Sequence, residues 1–429
     1  MKQFSARDGL GSPSYRWYLF GLLFLLYLFD YMDRMVIVSL FPYLKSDWGI
    51  TDTQCGLLVS AVYWSILIFS FPVSILVDRW SRKKSIGLMA VIWSLATLSC
   101  AFTRNITQLF AARAVIGVGE AGYAPGGTAM IATVFPKAQR ARVLGLWNAS
   151  IPLGAALGIA LGGFVAEHWG WRHAFGLVAL PGMVVALIFF FIKDYKTVTL
   201  VKTVVQNREM VQVRMRFSDI ARQFTRNPTL WFTNLGFAAN VFVTTALLTW
   251  LPTYFHRFEG LTMGQAGIKG GSVMLLAIIG APLGGYLADL WMKKRQNARM
   301  VFPAISSAVT ALLLFIAFGF FNGQVQYIIL LGAGVFAVAF VPAAIAVTQD
   351  VVHPGLRAIS LSINVIVQHL LGSSLGPVFI GVVSDDFGLE KAMVCLPAFA
   401  VLGGLLFLIG SRFYARNMAA VEQTDLEKS

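Results

Sequence analysis

Charge is what this sequence has least of. Only 13% of its 429 residues are Asp, Glu, Lys or Arg, about half the ~25% of a soluble domain. That shortage excludes an ordinary water-soluble globule. Cysteine is scarce too: Cys55, Cys100 and Cys395 are odd in number and far apart, so no disulfide framework is expected. No Cys/His cluster has metal-ligand spacing, and no G-x-x-x-x-G-K-[ST] phosphate loop occurs. ATP hydrolysis and metal chemistry are therefore not expected, nor is an enzyme, a metal or an organic cofactor. The opening segment, MKQFSARDGLGSPSYRW, lacks the short apolar core and small-residue cleavage site of a secretory signal. The first hydrophobic stretch is expected to stay as a spanning helix.

What fills the chain is apolar side chain. It is 57% hydrophobic, with 34 Phe and 11 Trp, a composition suited to lipid-facing surfaces and interfacial belts. The mean hydropathy is +0.71. Crossing ~30 Å of hydrocarbon at 1.5 Å per residue takes about 20 apolar residues. Twelve runs qualify, near 17–40, 54–77, 85–103, 107–134, 143–166, 172–192, 229–255, 265–291, 298–321, 325–349, 359–383 and 390–415. The net charge of +14 would suit nucleic acid, but the basic residues fall between the apolar runs, so the membrane is the partner and nucleic acid is not. Loops after even-numbered runs hold 20 Lys and Arg, and those after odd-numbered runs hold six. Because positive loops stay inside, both termini are expected in the cytoplasm, in a cytoplasmic (inner) membrane.

The expected organisation is an N-terminal six-helix bundle (1–192), a cytoplasmic linker (193–228) and a C-terminal six-helix bundle with a short tail (229–429). The linker stretch VVQNREMVQVRMRFSDIARQF is readable as an interfacial amphipathic helix, though a solvated basic linker accounts for it better. A weak internal repeat of about 211–218 residues supports two related halves. Ser74-Ile-Leu-Val-Asp78-Arg79-Trp-Ser81-Arg82-Lys83-Lys84 answers Gly285-Tyr-Leu-Ala-Asp289-Leu-Trp-Met-Lys293-Lys294-Arg295. Parallel six-helix halves with a site between them are a common transporter plan.

On these motifs the chain resembles the major facilitator superfamily over nearly its whole length. The segment after helix 2 is similar to G-x-x-x-D-R-x-G-R-K, with Ser74 and Ser81 in place of both glycines. Helix 4 carries Leu109-x-x-x-Arg113-x-x-x-Gly117-x-Gly119, and helix 5 carries Gly154-x-x-x-Gly158-x-x-x-Gly162-Gly163, with Ile159 where many antiporters have proline. Residues 27–35, YLFDYMDRM, and 117–125, GVGEAGYAP, resemble the spinster-like branch, although organic-anion symporters share the Tyr-x-Asp-Arg helix 1. The resemblance implies an all-α major facilitator fold of twelve helices, a monomer, and proton coupling at Asp33, Arg113 and Glu120. It also implies a cytoplasmic gate at Asp78 and Arg79, with Asp289 as counterpart.

Asp30, Asp33, Arg34, Arg113 and Glu120 lie inside apolar runs of the first half. A charge at such depth costs at least ~2.5–3.5 kcal/mol on insertion scales, so it has a partner or a task. Asp33 sits seven residues, roughly 10 Å, below the outer end of helix 1, and Arg113 lies at matching depth on helix 4. An Asp33–Arg113 pair is expected, with Glu120 on nearly the same face and Gly117 between them leaving room for a backbone or ligand. Arg34 pairs equally well with Asp30, one helical turn away. Two readings stand: a proton switch, in which protonating Asp33 or Glu120 loosens the hold on Arg113, and a static ion pair. Intramembrane charge is functional by default, which favours the switch.

In the second half the polar intramembrane residues are Asn234, Asn240, Gln349, Asn364, Gln368 and His369. Of these Asn240, Gln368 and His369 are candidate substrate or ion-pair residues along with Asp30 and Arg34, and His369 reads best as hydrogen-bonded between helices. The expected function is a secondary transporter with the proton as coupling ion, alternating access, and an amphipathic cargo of lysolipid or sphingoid type. The alternative is a symporter of small organic acids, with Arg34 or Arg113 gripping the carboxylate. A sensor without transport would need a signalling domain, and the soluble segments are too small to fold alone.

Overall fold

The computed structural model describes residues 12–193, 224–353 and 356–426, and among them there is helix and no strand. The candidate interfacial helix of the linker lies outside the described residues, as do the side chains of Asp78 and Arg79. The twelve expected spans are all present. The first six are α1 (Pro13–Val36), α2 (Asp52–Arg79), α3 (Arg82–Cys100), α4 (Ile106–Glu120 and Tyr123–Val134), α5 (Lys137–Asn148 and Ser150–Trp169) and α6 (Trp171–Phe189). The last six are α7 (Pro228–Glu259), α8 (Met263–Leu275 and Ala277–Met292), α9 (Ala298–Phe320), α10 (Gly323–Ala339 and Val341–Asp350), α11 (Arg357–Val367 and Leu375–Phe387) and α12 (Leu389–Val394 and Leu396–Leu426). Among the described residues, nine helical stretches are long and apolar enough to cross a membrane by length and composition alone. α1, α3 and α4 are not among them; α1 carries Asp30, Asp33 and Arg34.

Helix starts follow the local sequence. Ser12 accepts from Tyr15 N at 3.2 Å ahead of Pro13, Asn105 accepts from Gln108 N at 2.9 Å, and Thr262 with Gln265 forms a capping box. The internal repeat is visible in the backbone. Gly49 and Gly260 precede α2 and α8 with φ of 63° and 65°, and Gly170 and Gly388 precede α6 and α12 with φ of 89° and 88°. These pairs are 211 and 218 residues apart, and all four take a conformation open mainly to glycine. The Gly-x-x-x-Gly runs do the packing expected of them. Gly154 and Gly158 of α5 press on the α1 backbone at Leu28 and Met32, and Gly372 and Gly376 press on α7 at Ala238 and Phe242.

The two sets of six helices meet at one end, the face to which the charge bias assigns the outside. There α2 lies against α11, and the outer piece of α5 against that of α8. A Cβ at Gly56 would stand 2.5 Å from Pro377 O, and one at Gly163 would stand 2.7 Å from the Met263 backbone. Charge closes the same seam. Asp52, at the start of α2, accepts from Arg257 Nη1 and Nη2 at 2.7 and 2.6 Å, from Lys45 Nζ at 2.5 Å and from Ser384 Oγ at 2.5 Å. Asp385 of α11 accepts from the backbone N–H groups of Asp52 and Thr53, both at 2.8 Å, capping α2 from the other half. Among the described residues no packing of comparable extent joins the two sets at the opposite face. That end is shut.

This seam generates a first prediction. Arg257→Ala removes a bidentate charged contact across the halves and should shift the population toward an open outer face by about tenfold. Electron–electron distance measurements between spin labels on the outer ends of α2 and α11 check it; an unchanged distance distribution would mean that packing alone holds the seam.

Candidate functional site

Halfway down the first six helices, sequence spacing forces five ionisable side chains together. Asp30 and Arg34 are one turn apart on α1, and Arg34 Nη2 lies 2.8 Å from Asp30 Oδ2. Arg34 Nε lies 2.9 Å from Glu120 Oε2, at the last residue of the first piece of α4. Neither contact has aligned N–H···O geometry, so both are ion pairs by proximity. The Arg34 guanidinium also sits over Tyr31, 4.7 Å from the ring centre, and 6.0 Å from that of Tyr63 on α2. All five charged groups are buried, Arg34 being the most exposed at 8%.

The expected Asp33–Arg113 ion pair does not form. Arg113 Nε donates to Leu58 O at 2.6 Å and Nη2 to Arg34 O at 3.0 Å. The reason lies in how α2 and α4 run side by side. Gly117 has no side chain and seats α4 on the carbonyl of Val62, so Arg113, one turn earlier, meets the carbonyl of Leu58, one turn earlier on α2. The room beside Gly117 is taken by a backbone. Asp33, about 100° around α1 from Arg34, instead faces Thr97 of α3. That contact falls short of an aligned hydrogen bond and the carboxylate has no other partner, while Nη1 of Arg113 has none. Three carboxylates thus share two guanidinium groups, leaving one formal negative charge uncompensated inside the bundle.

The second-half candidates divide. His369 lies in a π-helical turn, Gln368–Ser373, that interrupts α11, and its ring stacks on Tyr63 with centroids 5.7 Å apart. It is not the hydrogen-bonded interhelical histidine expected, since Nδ1 is buried without a partner. Gln368 donates to Asn364, whose Nδ2 donates to Asn234 Oδ1 at 2.9 Å, a polar chain from α11 to α7. Asn240 belongs elsewhere: it donates to Gly236 O at 2.8 Å and accepts from Ser307 Oγ at 2.9 Å, tying α7 to α9. Asp289 pairs with Arg299 at 2.9 Å, and Arg299 with Asp350 at 2.8 Å, where Tyr414 Oη also donates at 2.7 Å. All four belong to the second set of six helices.

Residues 23–377 match the family model of the Major Facilitator Superfamily. The chain belongs to this superfamily. It is similar to Protein spinster homolog 1 of Xenopus laevis, at 26% identity over 95% of this chain and 84% of that one. It is similar also to the hexuronate transporter of Bacillus subtilis, at 26% identity over 89% of this chain and 90% of the other. Its fold matches the crystal structure of a bacterial homologue of the human lysosomal transporter Spinster in an inward-facing, unoccupied conformation. There the TM-score is 0.82 at 22% identity, over 95% and 99% of the two chains. The chain is a polytopic membrane transporter of the major facilitator type and spinster-like.

Reasoning from sequence missed Tyr31 and Tyr63 as partners of Arg34, Thr97 as the neighbour of Asp33, and the outer seam of Lys45, Asp52, Arg257, Ser384 and Asp385. Aromatic side chains one turn from a charge are a usable signal for Tyr31. For the seam the signal was a basic residue, Arg257, on the face where the orientation rule places few.

A second prediction concerns the cluster. Arg34→Ala strands two buried carboxylates and should cost about 3–5 kcal/mol of stability. Adding Asp30→Asn and Glu120→Gln should recover much of it. Thermal unfolding of the three proteins in detergent decides; a stable single variant would show that Arg34 is not what balances the two acids.

Proposed function

We propose that this chain is a proton-coupled secondary transporter working by alternating access between its two six-helix halves. One observation carries the reading: a buried Asp33 carboxylate without an ion-pair partner, in a cluster one positive charge short of balance. A low-dielectric site meets such a deficit by taking up a cation, and a proton is the smallest that fits against a carboxylate. Arg34 bridges Asp30 and Glu120, so a proton arriving at Glu120 would loosen α4 from α1, and one at Asp33 would neutralise the excess charge. Arg113, bonded to the backbone of α1 and α2, transmits such a shift between helices. Tyr63 and His369 meet across the halves just beside Arg34, so a cargo touching Arg34 would lie at the surface where the halves separate.

The cargo reading is an amphipathic molecule of lysolipid or sphingoid type, whose head, where it bears a phosphate, would reach Arg34. It rests on the spinster-like segments 27–35 and 117–125. A second reading, a symporter of small organic acids, is favoured by the similarity to a hexuronate transporter and by the same buried arginine. The membrane is the cytoplasmic one, with both termini inside, by the bias of 20 against six basic residues. Asp78, Arg79 and Asp289 form the cytoplasmic gate. The protein works as a monomer.

The test is cargo-dependent proton movement into vesicles holding the purified protein, offered a lysolipid and then a panel of organic acids including hexuronates. Wild-type protein should move protons with one of the two, and Asp33→Asn should lose the flux about a hundredfold while still binding cargo. The cargo that triggers flux chooses between the readings, and cargo movement without any proton flux would leave a facilitator.

A further inference from the structure

Among the described residues many helical hydroxyls follow one habit, and four buried ones, Ser85, Ser94, Thr97 and Thr253, make no aligned hydrogen bond. Within the helices, Thr233, Thr249 and Thr310 each return a hydrogen bond to the carbonyl one turn earlier, at 2.6–2.9 Å. Thr128 and Thr133 do the same at 2.8 Å. Ser94 and Thr97 of α3, both with 0% exposure, do not: Ser94 has no hydrogen-bond partner, and Thr97 has none but the Asp33 carboxylate it approaches. A buried polar group without a partner calls for an explanation. That Asp33 carboxylate has no hydrogen-bond partner besides Thr97. Ser94 is three residues further along the same helix toward its charged end at Arg82, and lies opposite Gly182 of α6 and Phe29 of α1. A Cβ at Gly182 would be 3.3 Å from Ser94 Oγ. The glycine keeps that side of the hydroxyl clear.

We propose that Thr97 and Ser94 are positioning residues for proton transfer, a hydroxyl relay that connects Asp33 to the interior of the first six-helix half along α3. Hydroxyls at i and i+3 on a helix stand about 5–6 Å apart at Cβ, a gap that one bridging water spans. Each hydroxyl both donates and accepts, so a proton can be handed on without any side chain becoming charged. At each step one O–H bond breaks as the next forms: Asp33 takes a proton from, or gives one to, water reaching the Ser94 end of the relay from the face where the halves are not packed together, and the relay returns to its starting state after each hydroxyl turns. The charged and titratable groups around the Asp33 end are Asp30 and Arg34 on α1, Arg113 and Glu120 on α4, and Cys100 on α3. The ion pairs of Arg34 to Asp30 and Glu120 occupy a different face of α1, with Asp33 turned toward α3. The relay therefore lets the proton travel on one side of α1 while cargo occupies the other. This inference rests on the proton-coupled reading above.

The experiment compares wild type, Thr97→Val, Ser94→Ala and Thr97→Ser in vesicles, reading cargo-driven proton flux and, separately, cargo exchange at equal pH on both sides. The exchange assay reports folding and cargo binding, so a variant that fails to fold is recognised there. Thr97→Val is near-isosteric and should slow proton flux about tenfold or more with exchange within twofold of wild type. Ser94→Ala should behave in the same way. Thr97→Ser, which keeps the hydroxyl, should restore flux and serves as the readout if Thr97→Val does not fold. Wild-type flux in Thr97→Val and Ser94→Ala would overturn the relay while leaving proton coupling intact. Sodium-dependent exchange in wild type with no proton flux would overturn the coupling itself, and the relay with it.

Discussion

Two guanidinium groups and three carboxylates held in a bilayer cannot each find water, so they must answer one another or the backbone. That constraint organises the first half of this transporter. Arg34 satisfies Asp30 and Glu120, which draws α1 against the end of the first piece of α4. Arg113 satisfies itself on the carbonyls of Leu58 and Arg34, pinning α4 to both α2 and α1. Glycines let these backbones approach closely enough for the contacts to exist, as Gly117 does on Val62 and Gly154 on Leu28. What is left over is Asp33, and the proposed coupling to protons follows from its lacking an answer.

Among the described residues the second half has no such buried charge cluster, and its buried polar groups are amides and hydroxyls. Asn240 with Ser307, and Gln368 with Asn364 and Asn234, tie helices together by neutral hydrogen bonds that need no counter-ion. The asymmetry fits a division in which one half responds to charge and the other supplies a stiff partner surface. His369 and Tyr63 are where the two surfaces touch near the centre, and the touch is a ring stack, which can separate without stranding a charge. The outer seam is built differently. There a carboxylate, Asp52, accepts from both halves at once, and Asp385 caps a helix belonging to the other half. Opening that face exposes these groups to water, which softens the loss, because exposed charge is readily resolvated.

The comparison between the glycine-marked repeats shows how the same plan accommodates two chemistries. Gly49 and Gly260 turn the chain identically before α2 and α8, and Gly170 and Gly388 do so before α6 and α12. The backbone path is thus duplicated while the side chains it presents are not. Asp30, Asp33 and Arg34 belong to α1, and α7 carries Asn234 and Asn240 in its place.

Much of this was legible in the chain itself. Length and continuity of apolar runs fix twelve crossings, since a bilayer tolerates little else, and the clustered Lys and Arg order the loops. The membrane cost of charge singles out Asp30, Asp33, Arg34, Arg113 and Glu120 without any coordinates, because that cost depends on depth along the chain. Pairing does not. Whether Arg113 meets Asp33 or the carbonyl of Leu58 turns on how α4 is rotated and seated against α2, and that is set by Gly117 and by the packing of neighbouring helices. The same holds for Thr97 beside Asp33, for Tyr63 beneath His369, and for Asp52 reaching Arg257 from 205 residues away. Sequence determines which residues must find partners; only the rotation and approach of packed helices decides which partners they find.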